Sequence, residues 1–458
     1  MSNSTMPDTG GNKMGTMPVR KLLISMSTPM VISMLVQALY NVVDSIYVSR
    51  VSEDALAAVS LSFPIQNLMI AVAAGTGVGI NALLSRSLGA GEPEKASKAA
   101  KNGLFLAGLS CIAFMIFGIF FSRAFFAMQH PGEAIVRYGY DYLSICCTVS
   151  FGVFFGLTSD RLLQATGRTL DTMFTLGLGA IINIILDPIM IFGWFGCPRM
   201  ETAGAAWATV IGQIMSMILS LYFNHTRNHE INISMKHFRP DGRIIGTIYK
   251  VGVPSIIMQS IGSVMTYGMN KILLVYSTTA VSVFGVYFKL QSFVFMPVFG
   301  LNNGLVPIIA YNYGAKKPDR IYAAIRDAVI GAIAMMLIGF ALFELFPGTL
   351  LSFFNASPKM LEIGIPALRI VAVPFIFAGY CIVIGSVFQA LGNGVYSLIV
   401  SLTRQLIVLL PAAFLLSKAF GLAGVWWAFP IAEIASVIVT TICFGRINRD
   451  ILKPMTES

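Results

Sequence analysis

Residues 88–95 read LGAGEPEK, and residues 313–320 read YGAKKPDR. Glycine, proline, an acid and a base recur in register, as Gly89/Gly314, Pro93/Pro318, Glu94/Asp319 and Lys95/Arg320. The spacing is 225 residues, and the same offset carries Pro29 in STPMVI onto Pro254 in VGVPSII (254 − 29 = 225). It also carries Phe63 and Gln66 onto Phe288 and Gln291, Gly75 and Gly79 onto Gly300 and Gly304, and Gln164, Ala165 and Gly167 onto Gln389, Ala390 and Gly392. One gapless register that keeps glycines and prolines at breaks and loops marks two copies of one structural unit.

The composition says where that unit sits. Of 458 residues, 56% are hydrophobic and 11% charged, with a mean hydropathy of +0.77. Soluble domains carry about 25% charged residues, so most of this chain has no aqueous surface to cover. Apolar stretches long enough to cross a bilayer, about 20 residues each, are predicted at 22–48, 55–85, 102–121, 138–158, 170–194, 203–223, 250–275, 281–310, 325–346, 362–388, 395–417 and 422–444. Irregular backbone cannot face lipid, so each is expected to be helical. Little chain remains for a large soluble catalytic or nucleic-acid-binding domain.

Six spans per half is an even number, so both halves enter the membrane in the same direction as parallel repeats. The predicted fold class is an all-α membrane protein with twelve transmembrane helices in two parallel-repeat six-helix lobes around a central cleft. Residues 1–21 form a tail, 22–223 the N-lobe, 224–249 a polar linker, 250–444 the C-lobe and 445–458 a second tail. Two such lobes rocking against each other suit a secondary transporter.

The formal net charge of +10 is a topology signal. Basic residues cluster at Arg20 and Lys21, at Lys95, Lys98 and Lys101, from Arg227 to Arg243, at Lys316, Lys317 and Arg320, and at Arg446, Arg449 and Lys453. These loops alternate with loops poor in Lys and Arg. By the positive-inside rule both termini are expected in the cytoplasm, with a multi-pass location in the cell (inner) membrane. No nucleic-acid partner is implied. The first apolar segment is too long for a signal peptide's core. The six cysteines lack metal-ligand or CxxC spacing and read as small hydrophobes. The sequons at Asn3 and Asn232 fall on the expected cytoplasmic side. The four histidines (His130, His225, His229, His237) are expected in loops, which leaves no intramembrane His cluster for a membrane enzyme. A primary pump would need a GxxxxGK[ST] loop, and the sequence has none. No enzymatic activity and no cofactor are expected.

Carboxylates inside a membrane cost roughly 2.5–3.5 kcal/mol each on insertion scales and are functional candidates by default. Asp44 lies on the first span and Asp187 on the fifth. Asn183, four residues before Asp187, shares its helix face. Gln37 and Tyr40 lie on the face of Asp44. Counted from the outer helix ends, Asp44 and Asp187 sit roughly 8–10 Å deep at 1.5 Å per residue, and Thr209 on the sixth span reaches a comparable level. Asp44, Asn183, Asp187 and Thr209 therefore read as an oxygen-rich proton or Na+ site, with Gln37, Tyr40 and Asn41 lining the surrounding cavity. The alternative is that each carboxylate braces a helix near the interface. No metal beyond Na+ is implied. Pro29, four turns before Asp44, is the expected hinge. In the second half the intramembrane charges are Lys271, Lys289, Arg404 and Glu433. Lys271 and Arg404 either line the cleft or pair with Glu433, or else carry their charge to an interface. The 24 Met and 33 Phe suit a soft pocket for flat organic cations.

With INIILDPIMIFG (182–193), LVQALYNVVDSIYVSR (35–50) and AGAAWAT (203–209), the sequence resembles the MATE (multidrug and toxic compound extrusion) family, in its DinF-like or MepA-like prokaryotic branch. The resemblance covers essentially the whole chain, including LLSRSLGAGEPEKA, AYNYGAKKPDRI and VFQALGNG. It implies a V-shaped cleft, a monomer without an obligate protein partner, and export of organic cations by antiport with H+ or Na+. It also implies that Asp44, Asn183, Asp187 and Thr209 are the coupling residues. The seventh span lacks the carboxylate of the NorM-type branch. TSDRLLQATGR (158–168) places Asp160 and Arg161 where many relatives are less charged, which leaves open a distinct gate or substrate preference. A lipid-linked oligosaccharide flippase of the same superfamily is the competing reading, with Lys271, Lys289 and Arg404 as the cations that would hold pyrophosphate.

Overall fold

The structure, a computed structural model, describes residues 12–128, 132–236, 238–354 and 356–457. Asn3, His130, His237 and the first eleven residues of the expected tail lie outside them. Helices account for the described elements, and no strand occurs among those residues. They are α1 (Lys13–Thr16), α2 (Val19–Ser49), α3 (Glu53–Gly89), α4 (Pro93–Phe120), α5 (Ser122–Ala127), α6 (Glu133–Thr148), α7 (Phe151–Ala165), α8 (Thr169–Phe192) and α9 (Glu201–Thr226) in the first half. The second half has α10 (Gly242–Leu274), α11 (Thr278–Gly314), α12 (Pro318–Leu345), α13 (Pro347–Ser352), α14 (Pro358–Ala372), α15 (Phe375–Ala390), α16 (Gly394–Leu402), α17 (Leu410–Ile447) and the terminal α18 (Lys453–Glu457).

Nine described helices are long and apolar enough to cross a membrane, and two bent pairs raise the number to eleven. The pairs are α6/α7, bent by 46°, and α14/α15, bent by 49°. The last candidate runs 63 residues, Gly394–Thr456. Straight, it would extend about 95 Å at 1.5 Å per residue, three times the hydrocarbon core. Gly421, with φ 67 and ψ −152, turns the chain back inside it, which makes two spans and brings the total to twelve. The helices outrun the apolar windows at several ends. α3 continues to Gly89, α9 to Thr226, and α10 starts at Gly242, so the connection between the halves is 227–241 rather than 224–249. His225 thus belongs to the last turn of α9.

The 225-residue register is visible in the backbone. Ser52 and Ser277 cap α3 and α11 through the same bond, each hydroxyl accepting from the backbone N–H three residues on (Ala55 and Ala280). Gly167 and Gly392 end α7 and α15 with φ of 85 and 84, a left-handed conformation that favours glycine. The bends of α6/α7 and α14/α15 also fall at matching positions. The second has Pro374, whereas the first, at Val149 and Ser150, has no proline.

The lobes meet through α3 against α10 and α11, and α11 against α2. A Cβ on Gly89 would lie 1.9 Å from the Tyr311 carbonyl oxygen, and one on Gly314 would lie 2.0 Å from the Arg86 carbonyl oxygen. Gly75 faces Ile256 and Gly300 faces Val31 in the same manner. Each pair maps onto the other by the 225 offset, so the interface is a pseudo-twofold in which backbone rests on backbone. All these contacts fall in the helix halves nearer the face that carries the termini. The structure is closed at that face.

The segment before α2 reinforces the closure. The Asn12 amide donates to Glu230 (2.7 Å) and to the Thr166 carbonyl (3.4 Å). From the C-lobe, Arg320 donates to the carbonyls of Met14 (3.0 Å) and Met17 (2.7 Å), Asn312 to Met14 (3.1 Å) and Lys317 to Gly15 (3.0 Å). Burial, and then the Arg168 charge, draw the Lys13 ammonium below its usual range, and burial holds the Glu230 carboxyl above its own. Hydrogen bonds from a charged group contribute about 1.5–3 kcal/mol each. Arg320→Ala, which removes two of them, is expected to release the segment and speed tryptic cleavage at Lys13 on the order of 100-fold. An unchanged cleavage rate would show that the segment is held by other contacts.

Candidate functional site

The N-lobe site is built on α2, α8 and α9. α8 packs along α9, and α2 packs across α8. Asn183 and Asp187, one turn apart on α8, both face inward, Asp187 fully buried and Asn183 3% exposed. Asn183 Nδ2 donates to Asp187 Oδ2 at 3.1 Å, and Asn183 Oδ1 accepts from Thr209 Oγ1 (3.2 Å) and the Thr209 backbone N–H (3.1 Å). Across from α8, the half-buried Asp44 of α2 brings its carboxyl group within hydrogen-bonding reach of Asp187. Beyond that contact, the Oδ1 atoms of both carboxyls are buried with no partner among the described residues. The four residues expected from the sequence therefore form one connected group.

Two carboxylates in contact cannot both stay ionised in a poorly solvated site unless a proton or a cation lies between them. The amide and hydroxyl of Asn183 and Thr209 fix the orientation of one carboxyl, leaving its other oxygen for that exchange. Tyr40 lies within electrostatic reach of both acids. A further layer comes from α3 and α6, where Gln66 Nε2 donates to the Tyr142 hydroxyl (2.9 Å) beside Cys146 Sγ (3.8 Å).

Below this group opens a cavity of about 150 Å³ lined by Gln37, Tyr40, Asn183, Thr209, Gln213 and Asp160, among others. Gln37 and Tyr40 thus line it as expected. Asn41 does not: it is exposed on α2 and absent from the lining, although it lies one turn from Gln37. Asp160 was legible in the sequence only as an unusual charge. Thr175 and Ser220, whose hydroxyls donate to Asp160, gave no signal there, since hydroxyls are common in membrane helices.

A second cavity, about 280 Å³, lies in the C-lobe. Its wall is aromatic and sulfur-rich, with Tyr287, Phe288, Phe295, Phe299, Met265 and Met296. Gln291, the repeat partner of Gln66, also lines it. Arg404 and Glu433 meet here at 3.9 Å, Arg404 within a π-helical segment, Thr403–Leu409, a distortion frequent at functional sites. Glu433 Oε1 is buried without a partner among the described residues. Lys271 sits in the last turn of α10 with its ammonium 5.6 Å from the Tyr267 ring, and Lys289 lies 5.9 Å from the Phe354 ring. Both lysines are exposed, and neither lines the C-lobe cavity. Pro29 is buried in α2, which runs through it unbroken.

The family model described as MatE matches residues 29–189 and again 254–415, so its two matches begin 225 residues apart (254 − 29). The multidrug export protein MepA of Staphylococcus haemolyticus is 24% identical over 431 residues, with 94% of each chain covered. A FAD transporter of Shewanella oneidensis is 26% identical over 435 residues, covering 94% of this chain and 95% of that one. Among solved structures, one described as the outward-facing conformation of a multidrug resistance MATE family transporter superposes with a TM-score of 0.91 at 26% identity, covering 98% of this chain and 99% of the other. With both repeats matching one family model in the register that the backbone itself displays, and a whole-chain fold in common with a solved member, the chain belongs to the MatE family of membrane transporters.

Proposed function

We propose that this protein exports lipophilic organic cations by antiport with H+ or Na+, alternating access between the two lobes. The observation that carries the reading is the contact between the Asp44 and Asp187 carboxyls, braced by Asn183 and Thr209 in the N-lobe. An incoming H+ or Na+ binds between these acids. The C-lobe cavity receives the drug, where aromatic faces and methionines suit flat cations and the unpartnered Oε1 of Glu433 can accept a hydrogen bond from the drug. The closed, basic termini face is the cytoplasmic one by the positive-inside rule, so the conformation described above opens outward. Pro29 supplies the hinge, since its missing N–H leaves α2 one hydrogen bond short at that turn.

Nothing favours a flippase. Arg404 is engaged by Glu433, and the two lysines lie outside the C-lobe cavity, so among the described residues no cluster of free cations lines that cavity. The FAD-carrying relative makes cargo the open point. In proteoliposomes under an imposed pH or Na+ gradient, ethidium is expected to be driven out and FAD is not. Gradient-driven FAD movement without ethidium movement would overturn the cargo assignment.

A further inference from the structure

Asp160 is a buried carboxylate that the four-residue group does not use. It lies on α7, 3% exposed, and its Oδ1 accepts from Thr175 Oγ1 of α8 (2.7 Å) and Ser220 Oγ of α9 (2.8 Å). Its Oδ2 has no hydrogen bond among the described residues, and the residue lines the same cavity as Asn183, Thr209 and Tyr40. An asparagine would accept both hydroxyl bonds without bringing a charge into a region where charge is costly. The charge therefore calls for a ligand.

The neighbouring guanidinium lies within electrostatic reach of Asp160 but makes no hydrogen bond to it. Arg161 turns the other way, donating to Gln164 Oε1 (2.8 Å) and to Asn303 Oδ1 of the C-lobe (2.9 Å). From α8 and α9 the groups facing Asp160 are the hydroxyls of Thr172, Thr175 and Ser220, with the Ser216 hydroxyl and Gln213 amide further along the cavity. The titratable Asp171 is tied to Arg168 and Arg227. From α2 the cavity receives Tyr40.

The cavity's oxygens suit a small cation: beside Asp160 its wall carries Asn183, Thr209, Gln213 and Ser216. Along α8, Thr175 lies eight residues from Asn183, about 12 Å at 1.5 Å per residue, toward the termini face. The cavity thus spans from Asn183 and Thr209, which adjoin the acid pair, to Asp160, with Gln213 and Ser216 also on its wall.

We propose that Asp160, with Thr175 and Ser220, is a second monovalent-cation station in the N-lobe, which receives the H+ or Na+ leaving the Asp44–Asp187 pair on its way to the termini face. The station's place in a sequence rests on the antiport reading; its existence as a binding site does not. Arg161 and its bridge to Asn303 lie beside it, so occupancy of Asp160 is felt where the lobes meet.

The test is cation binding to the purified full chain, without transport. Two arms run in parallel: the infrared C=O band of a protonated carboxylic acid followed through a pH titration, and retention of radioactive Na+. With Asp44 and Asp187 both replaced by Asn, one cation equivalent is expected to remain in one of the two arms, and adding Asp160→Asn is expected to remove it. Identical bands and identical Na+ retention with and without Asp160→Asn would overturn the proposal. Ser220→Ala keeps the charge and removes one hydroxyl, and is expected to weaken binding about fivefold. If the Asp160 variant fails to fold, an unshifted midpoint in Ser220→Ala overturns the station instead. A wild-type protein that moves no ion against drug, yet loses its equivalent with Asp160→Asn, would remove antiport and keep the station.

Discussion

Asp187→Asn is expected to abolish gradient-driven drug efflux, a loss of about 100-fold or more, while the protein still inserts and binds drug. The substitution changes one oxygen to an amide in the group where Asn183 donates to Asp187 Oδ2 at 3.1 Å. Shape and packing survive. What disappears is the second of two acids in contact, and with it the charge that makes a proton or Na+ bind between them. Asp44→Asn removes the other acid and is expected to do the same. Thr209→Ala removes one hydroxyl from the bracing chain and leaves both acids, so its effect is expected to be smaller, about fivefold for one hydrogen bond. Ethidium efflux from loaded vesicles ranks the three. Near-normal efflux in either Asn variant would remove the pair from the coupling step.

The second large effect lies at the lobe interface. Gly314→Ala adds a single methyl group to a helix that tolerates alanine, but that methyl would sit 2.0 Å from the Arg86 carbonyl oxygen. The obstacle is backbone, so no side chain can swing aside, and the lobes must part by more than an ångström. Overpacking a core costs roughly 1–3 kcal/mol. At the upper end of that range the closed state loses about 100-fold in population. Gly89→Ala, against Tyr311, is expected to match it because the two sites are related by the repeat. Spin labels at Glu94→Cys and Asp319→Cys, in a background lacking the exposed Cys197, are expected to show a longer separation in either variant and a stalled cycle. Wild-type separations with wild-type efflux would mean that this contact is not what closes the termini face.

Much of this architecture was legible in the sequence because repeats and membrane insertion both leave regular marks. Prolines and glycines recur at a fixed offset because the same turns and close approaches occur twice. The acids stand out because hydrocarbon admits few of them. Asp44, Asn183, Asp187 and Thr209 could be placed at one depth by counting residues along helices, and the structure brings them together. Finer features escaped for physical reasons. Apolar windows end where a helix leaves the lipid, not where it stops, so α3 and α10 run longer than their hydropathy. The bend between α6 and α7 has no proline to announce it. Asn41 shares the helix face of Gln37 by spacing, yet it is exposed and outside the cavity wall, which periodicity alone does not resolve. The pairing of Arg404 with Glu433 joins the eleventh and twelfth spans, and composition left it open whether Arg404 pairs there or reaches an interface. The C-lobe cavity was hidden among 33 Phe and 24 Met, although the shared glutamines at 66 and 291 marked its wall.

The most direct measurement is ion movement provoked by drug. Proteoliposomes holding an imposed pH gradient, or in a parallel set an imposed Na+ gradient, are exposed to ethidium while the gradient is followed by an indicator dye. The wild-type protein is expected to dissipate one of the two gradients only when drug is present, and Asp187→Asn to dissipate neither. Failure of drug to dissipate either gradient, or drug-dependent dissipation that survives in Asp187→Asn, would contradict exchange at the N-lobe pair.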